Sequence, residues 1–79
     1  MSEGIVTLDL HGKNTYSAKV AIDAALKRSR GVYRLRLIHG FNNGTALKDM
    51  IISHYGNSAK AIRLEFINSG TTDLVLREF

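Results

Sequence analysis

The chain has no cysteine among its 79 residues. Disulfide frameworks, thiolate metal sites such as zinc ribbons, and cysteine nucleophiles are therefore excluded. Long apolar segments are also missing, because no run approaches the roughly 20 residues that a transmembrane helix needs. Residues 1–4 lack the basic start and apolar stretch of a signal peptide. We therefore expect one soluble, cytoplasmic domain over residues 1–79 that does not enter a membrane.

Acidic residues are few. Seven Asp and Glu residues stand against 11 Lys and Arg residues, which gives a formal net charge of +4. This balance favours polyanionic partners such as nucleic acid, although many small domains are basic for solubility alone. A two-metal nuclease needs several converging carboxylates. The scarcity of acids therefore argues against a two-metal mechanism.

Hydrophobic periodicity predicts four strands and two helices. Alternating apolar and polar residues mark each strand, and apolar residues at helical spacing mark each helix. Asn14 is a good N-cap for the first helix. The predicted order is β-α-β-α-β-β, over residues 5–11, 14–29, 32–38, 45–56, 62–66 and 73–77.

The alternation also predicts how the layers are arranged. Parallel strands that are covered on both faces read as continuous apolar runs, whereas these strands alternate, so one face of the sheet should be bare. We expect an α/β two-layer sandwich, with a four-stranded mixed sheet and both helices on one face. The bare face should then carry Thr7, Asp9, Arg34, Arg36, Arg63, Glu65 and Arg77.

Two interpretations of the bare face are open. Four arginines against two acids would suit a platform for nucleic acid. The alternative is a solvated face with cross-strand ion pairs, for example between Arg63 and Asp73. Glu65 and Arg77 would form a second pair of this kind. The face has no aromatic residue on which bases could stack, unlike an RNA-recognition motif.

Two histidines stand where predicted strands end. His11 follows Asp9 by two residues, and His39 follows the second strand. Strand ends that face helix starts are where α/β folds place ligand chemistry. We therefore expect the two strand ends to lie side by side, so that both imidazoles share one anion site.

The neighbours of each histidine bear on this hypothesis. Asp9 and His11 project to the same side of a strand, and a carboxylate beside a histidine suits a general base. The alternative is that Asp9 pairs with an arginine and His11 only begins a turn. Strict alternation places His39 on the helix side of the sheet, with Leu35 and Leu37.

A turn rich in glycine and asparagine follows His39. It contains Gly40, Asn42, Asn43 and Gly44. These residue types tolerate unusual backbone angles, and the helix that follows adds positive potential at its N-terminus. The turn would suit a phosphate, although any tight turn could use the same residues. Its spacing is not that of a Walker loop or of a KH-type GxxG clamp.

At these residues the chain resembles the Smr (small MutS-related) domain family. The family's LDLHG signature is similar to residues 8–12, and its HGxGxG-x-L-[RK] segment is similar to residues 39–48. Its closing G-x-T-x-V-x-L strand is similar to residues 70–76. Asn42 stands where the family has its middle glycine, and Leu47 comes one residue later than usual.

The resemblance implies a βαβαββ fold similar to the C-terminal domain of translation initiation factor 3. It also implies nicking or cleavage of DNA or RNA in some members, and binding without cleavage in others. The matched positions linked to activity or binding are Asp9, His11, His39, Gly40 and Gly44.

We therefore expect a nucleic-acid-binding domain with endonuclease activity or, alternatively, a non-catalytic module that binds nucleic acid or ribosomes. A protein-interaction domain is a third hypothesis. The catalytic candidates are Asp9, His11 and His39. The predicted phosphate or nucleic-acid contacts are Lys13, Arg34, Arg36, Gly40, Asn42, Asn43, Gly44, Thr45 and Lys48. The sequence requires no haem, nucleotide or other cofactor and indicates no metal ligands, although a single Mg²⁺ or Mn²⁺ would suit a nuclease.

Overall fold

The structure is a computed structural model that describes residues 4–28, 31–40, 45–56 and 61–77. Its elements are β1 (Ile5–Asp9), α1 (Thr15–Arg28), β2 (Arg34–Ile38), α2 (Ala46–Tyr55), β3 (Arg63–Asn68) and β4 (Thr71–Val75). The predicted order is confirmed, and the ends of the elements differ from the predicted ends by a few residues. Neither helix in the described ranges is long and apolar enough to cross a membrane.

The four strands form one mixed sheet in the order β1-β2-β4-β3. β1 and β2 are parallel, and β4 is antiparallel to both of its neighbours. Because β1 and β2 are parallel neighbours, their carboxyl ends lie at the same edge of the sheet. The backbone N–H of Leu10 donates to the carbonyl of Ile38 at 2.7 Å and extends this pairing beyond the strands. The expectation that the two strand ends lie side by side is therefore confirmed.

One core lies between the sheet and the two helices. Leu35 lies opposite Leu74 in the β2–β4 register, and both side chains are fully buried. Each helix buries one stripe of residues in the same core, with Ala18, Ile22 and Ala25 from α1, and Met50, Ile51 and Tyr55 from α2. Both helices therefore cover one face of the sheet, as the alternation predicts.

The bare face of the sheet carries an ion-pair network centred on Asp73. This residue of β4 is fully buried although it lies on the bare face. Arg36 donates through Nε to Asp73 Oδ1 at 2.9 Å and through Nη2 to Oδ2 at 3.0 Å, and Arg34 donates to Oδ2 at 3.1 Å. Two guanidinium groups thus enclose the carboxylate and supply its hydrogen bonds, which a buried charge needs.

Glu65 on β3 extends this network. Arg34 donates to Glu65 Oε1 at 2.5 Å, and Arg63 donates to Oε2 at 2.7 Å. The predicted pair of Arg63 with Asp73 is wrong, because the Asp73 carboxylate bonds to Arg34 and Arg36 and Arg63 bonds to Glu65. The predicted pair of Glu65 with Arg77 is also wrong, because Arg77 lies beyond the end of β4 and Glu65 bonds to Arg34 and Arg63.

The pKa values of this network follow its hydrogen bonds. Glu65 has a lowered pKa because Arg34, and then Arg63, donates to its charged form. Arg34 has a raised pKa because of its bonds to Glu65 and Asp73, and Arg36 because of its bonds to Asp73. The ion-pair interpretation of the bare face is therefore the one the structure supports.

Candidate functional site

A tight turn connects β1 to α1 and exposes two basic residues. The backbone N–H of Lys13 donates to the carbonyl of Leu10 at 3.0 Å, and Gly12 between them has a φ of 81°, in the left-handed region. Asn14 then caps the helix, because its Oδ1 accepts from the backbone N–H of Ser17 at 2.8 Å. The chain thus reverses within four residues and leaves His11 and Lys13 exposed.

Asp9 holds the His11 ring. The Asp9 Oδ1 accepts from His11 Nδ1 at 2.5 Å and from the His11 backbone N–H at 3.1 Å. Because a carboxylate only accepts, Nδ1 carries the proton and Nε2 is left for a ligand. The hydrogen bonds from the His11 side chain and then its backbone lower the pKa of Asp9, and the charge of Lys13 adds to this effect. The side chains of His11 and Asp9 are 71% and 55% exposed, so the pair is accessible.

His39 is held inside the protein. It is only 6% exposed, and its Nδ1 donates to the carbonyl of Gly40 at 2.9 Å. Its Nε2 lies 3.0 Å from the hydroxyl of Thr72, which is fully buried. The ring therefore lies on the helix side of the sheet, as the alternation predicts, and both of its nitrogens have partners within the protein.

Gly40 joins the two strand ends. The backbone N–H groups of His39 and Gly40 both donate to the carbonyl of Gly70, at 2.9 and 3.0 Å. Gly40 has a φ of 77°, and a Cβ built on it would lie 3.4 Å from His11 Cβ. The structure therefore places the two histidine segments next to each other. It places His11 at the surface and His39 inside, with different neighbours for each ring.

We call the group formed by Asp9, His11, Lys13 and Gly40 the β1–β2 end site. Each member lies at or just beyond the carboxyl end of β1 or β2. This is the end at which α/β sheets bind ligands. The roles predicted for these residues are hypotheses, and their proximity makes a shared role physically reasonable.

Of the other predicted contacts, Asn42, Asn43 and Gly44 lie outside the described residues. Thr45 is exposed at the start of α2, and its hydroxyl donates to Asp49 Oδ2 at 3.0 Å. Lys48 Nζ lies 5.3 Å from the centroid of the Phe66 ring on β3, the edge strand opposite β1. Arg34 and Arg36 belong to the ion-pair network of the bare face.

Metal-ligating side chains do not cluster in this part of the structure. Within the described ranges, no three His, Asp or Glu side chains are placed to hold a metal ion. The described residues thus supply no fitted metal site.

Solved structures of two other proteins are similar to this chain. The Smr domain of Thermus thermophilus MutS2 has a TM-score of 0.81 to this chain at 26% identity, over 91% of this chain and 98% of that one. The fold is that of an Smr domain. The SMR domain of NEDD4-binding protein 2 has a TM-score of 0.73 at 25% identity, over 100% of this chain and 93% of that one. The resemblance predicted from the motifs is confirmed. A scan against protein-family models and a search of curated proteins find no match.

Sequence reasoning missed the part that Thr72 has in this fold. It contacts His39 across the sheet, from β4 to the end of β2. Thr72 lies within residues 70–76, which are similar to the closing strand of the Smr motif. A sequence motif does not predict which side chain the Thr72 hydroxyl contacts. The sheet order supplies that information, because it places β4 next to β2.

Proposed function

We propose that this Smr domain binds the phosphodiester backbone of nucleic acid at the β1–β2 end site, and that His11 transfers a proton during cleavage of that backbone. One observation carries the proposal: the His11 ring is exposed and Asp9 holds its Nδ1, so Nε2 is left for a substrate. The resemblance to the Smr family supports nucleic acid as the ligand. Lys13 and the net charge of +4 add attraction for a polyanion.

The chemical step assigns one role to each side chain. His11 Nε2 accepts a proton from a water molecule while the water oxygen bonds to phosphorus. The bond from phosphorus to the leaving oxygen breaks, and that oxygen takes a proton from solvent. The Asp9 carboxylate stabilises the imidazolium that forms, as a buried Asp does for the histidine of a serine protease. Lys13 offsets phosphate charge.

A non-catalytic binding module is the second candidate function, and the position of His39 favours it. Acid–base hydrolysis of a phosphodiester is fastest when one group takes a proton and another gives one. Both nitrogens of His39 have partners inside the protein. His11 is then the single exposed imidazole of the β1–β2 end site. A module that binds nucleic acid without cleaving it needs no second exposed imidazole.

Binding is tested with fluorescent 20-nucleotide single-stranded and duplex DNA and RNA over a range of salt concentrations. We expect affinity that falls steeply with salt, because backbone contacts release counterions. Lys13→Ala should weaken binding to every sequence and reduce the logarithmic salt slope by about 1. Lys27→Ala is the matched control, since Lys27 is an exposed lysine in the last turn of α1, at the far end of the helix that follows Lys13. Binding that does not respond to salt would contradict the proposal.

Cleavage is tested by plasmid nicking and RNA degradation. His11→Ala should reduce the rate by about 10²-fold to 10⁴-fold, the usual contribution of a positioned proton-transfer group. His54→Ala is the matched control, since His54 is an exposed histidine on α2. Equal activity in the two variants would exclude proton transfer by His11. Binding without cleavage by the unmodified chain would favour the second candidate.

A further inference from the structure

An exposed aromatic residue lies near the carboxyl end of β3. Phe66 is 55% exposed, and it lies opposite Thr72 of β4 in the sheet register. Thr72 in turn lies opposite the buried Leu37, so all three side chains project toward the helix side of the sheet. β3 is an edge strand of the described sheet, and the Phe66 ring is left accessible there. The step proposed for His11 and Lys13 makes no use of this ring.

Lys48 of α2 lies over the same ring. Its Nζ is 5.3 Å from the centroid of the Phe66 ring, within the range of a cation–π contact. None of the ion pairs between described residues involves Lys48. Its charge is therefore not offset by a described carboxylate and can attract a phosphate.

The Phe66 ring lies toward the same end of the sheet as the β1–β2 end site. β4 is antiparallel to both β2 and β3, and β1 is parallel to β2, so β1, β2 and β3 all run in one direction. Their carboxyl ends therefore lie at one end of the sheet. The order β1-β2-β4-β3 separates the outer strands by three strand spacings, which is about 14 Å. A stacked strand of roughly four nucleotides covers that distance.

An accessible ring beside a cation suits an unpaired nucleotide. Every base has a π face that can stack on an aromatic side chain, and lysine contacts the phosphates that connect the bases. In a duplex the bases stack on one another and pair, so their faces do not reach a side chain at the protein surface. Phe66 can therefore add affinity for single-stranded nucleic acid, but not for a duplex.

We propose that Phe66 stacks on an unpaired base and that Lys48 contacts a neighbouring phosphate, so that a single strand of nucleic acid extends from β3 to the β1–β2 end site. The phosphate contacts rest on the proposed function. Stacking on Phe66 adds the class of ligand, a strand with unpaired bases, and neither Phe66 nor Lys48 takes part in the chemical step.

Stacking is measured by tryptophan fluorescence. The chain has no tryptophan, so Phe66→Trp introduces one fluorescent ring at this position. We expect an unlabelled 20-nucleotide single strand to quench its emission, because the indole stacks on a base. A blunt duplex and an abasic strand of the same length should cause no comparable quenching. Tyr33→Trp is the matched control, because Tyr33 is 43% exposed and precedes β2 at the opposite end of the sheet. Its emission should not respond to the single strand.

Affinity is the second measurement. Phe66→Leu keeps an apolar side chain without a π face, and it should bind the single strand about fivefold or more weakly. It should bind the abasic strand as the unmodified chain does, and Tyr33→Leu should bind both strands normally. Lys48→Gln should weaken binding to both strands and reduce the logarithmic salt slope by about 1. Thermal unfolding shows whether each variant is folded, and Phe66→Trp keeps the test informative if Phe66→Leu is not.

Three results would overturn the stacking role of Phe66. The first is equal affinity of Phe66→Leu and the unmodified chain for the single strand. The second is unchanged emission of Phe66→Trp when the single strand saturates it. The third is an equal loss of affinity for the single strand and the abasic strand in Phe66→Leu, as expected if the ring only supports the fold. Failure of the proposed function is distinguishable, because the unmodified chain would then bind neither strand.

Discussion

At the scale of single residues, two histidines at neighbouring strand ends have opposite environments. His11 is exposed and bonded to a carboxylate, whereas His39 is buried between a hydroxyl and a carbonyl. The alternation of β2 predicts that His39 lies on the helix side. It does not predict Thr72 as the partner, because that contact depends on the pairing of β2 with β4. The sequence therefore indicates where both rings lie. It indicates Asp9 as the partner of His11, but it does not indicate the partner of His39.

The Asp9–His11 pair makes a prediction about pH. Hydrogen bonds from His11 hold the pKa of Asp9 below 3.8. The pair therefore stabilises the folded chain above pH 3.8, and its contribution is lost as the pH falls through the lowered pKa. In His11→Ala, the Asp9 pKa, measured from the ¹³C shift of its carboxyl group, should rise toward 3.8. The same shift in His54→Ala would show that the effect is not specific to this pair.

Asp73 makes a prediction about stability. Asp73→Ala leaves Arg34 and Arg36 without the carboxylate that they enclose, and we expect a loss of about 2 to 3 kcal/mol in the free energy of unfolding. Asp49→Ala is the matched control, because Asp49 is exposed on α2. It should cost less than about 1 kcal/mol. Urea unfolding followed by circular dichroism measures both, and equal losses would contradict a structural role for Asp73.

At the scale of elements, one hydrogen-bonded cluster connects the two helices. The hydroxyl of Tyr55 on α2 donates to Asp23 Oδ1 on α1 at 2.6 Å, and Lys19 donates to Oδ2 at 2.9 Å. Burial, and then the bond to Asp23, raises the pKa of Tyr55. Helical spacing predicts both helices, but it does not predict this contact, which exists because both helices pack on the same face of the sheet.

Tyr55→Phe tests this link between the helices. The variant keeps the buried ring and removes one hydrogen bond, so we expect a loss of about 1 kcal/mol in the free energy of unfolding near neutral pH. In the unmodified chain that free energy should also fall as the pH rises above 10.0, because the unfolded state releases the phenolic proton first. Tyr55→Phe should reduce this alkaline loss. Tyr16→Phe, at a residue that is 77% exposed, should keep the neutral-pH stability of the unmodified chain.

At the scale of the whole molecule, the positions of the charges matter more than their sum. Three arginines and two carboxylates of the bare face neutralise one another to a large extent. Lys13 and His11 lie beyond the carboxyl end of β1, and neither belongs to that network. A net charge of +4 cannot distinguish these two surfaces. The fold class could be predicted from the alternation of the strands and from the motifs. The proposed nucleic-acid interface could not, because it depends on which cationic side chains already have carboxylate partners. The register of the strands determines those partners.

The roles proposed for His11 and Lys13 depend on the binding of nucleic acid at the β1–β2 end site. The most direct test is a ¹H–¹⁵N chemical-shift titration of the labelled domain with a short single-stranded oligonucleotide. We expect the largest changes at His11, Lys13 and Gly40, and small changes at the Nε–H groups of Arg34 and Arg36. Changes concentrated on those two arginines, with none at His11 and Gly40, would contradict the claim.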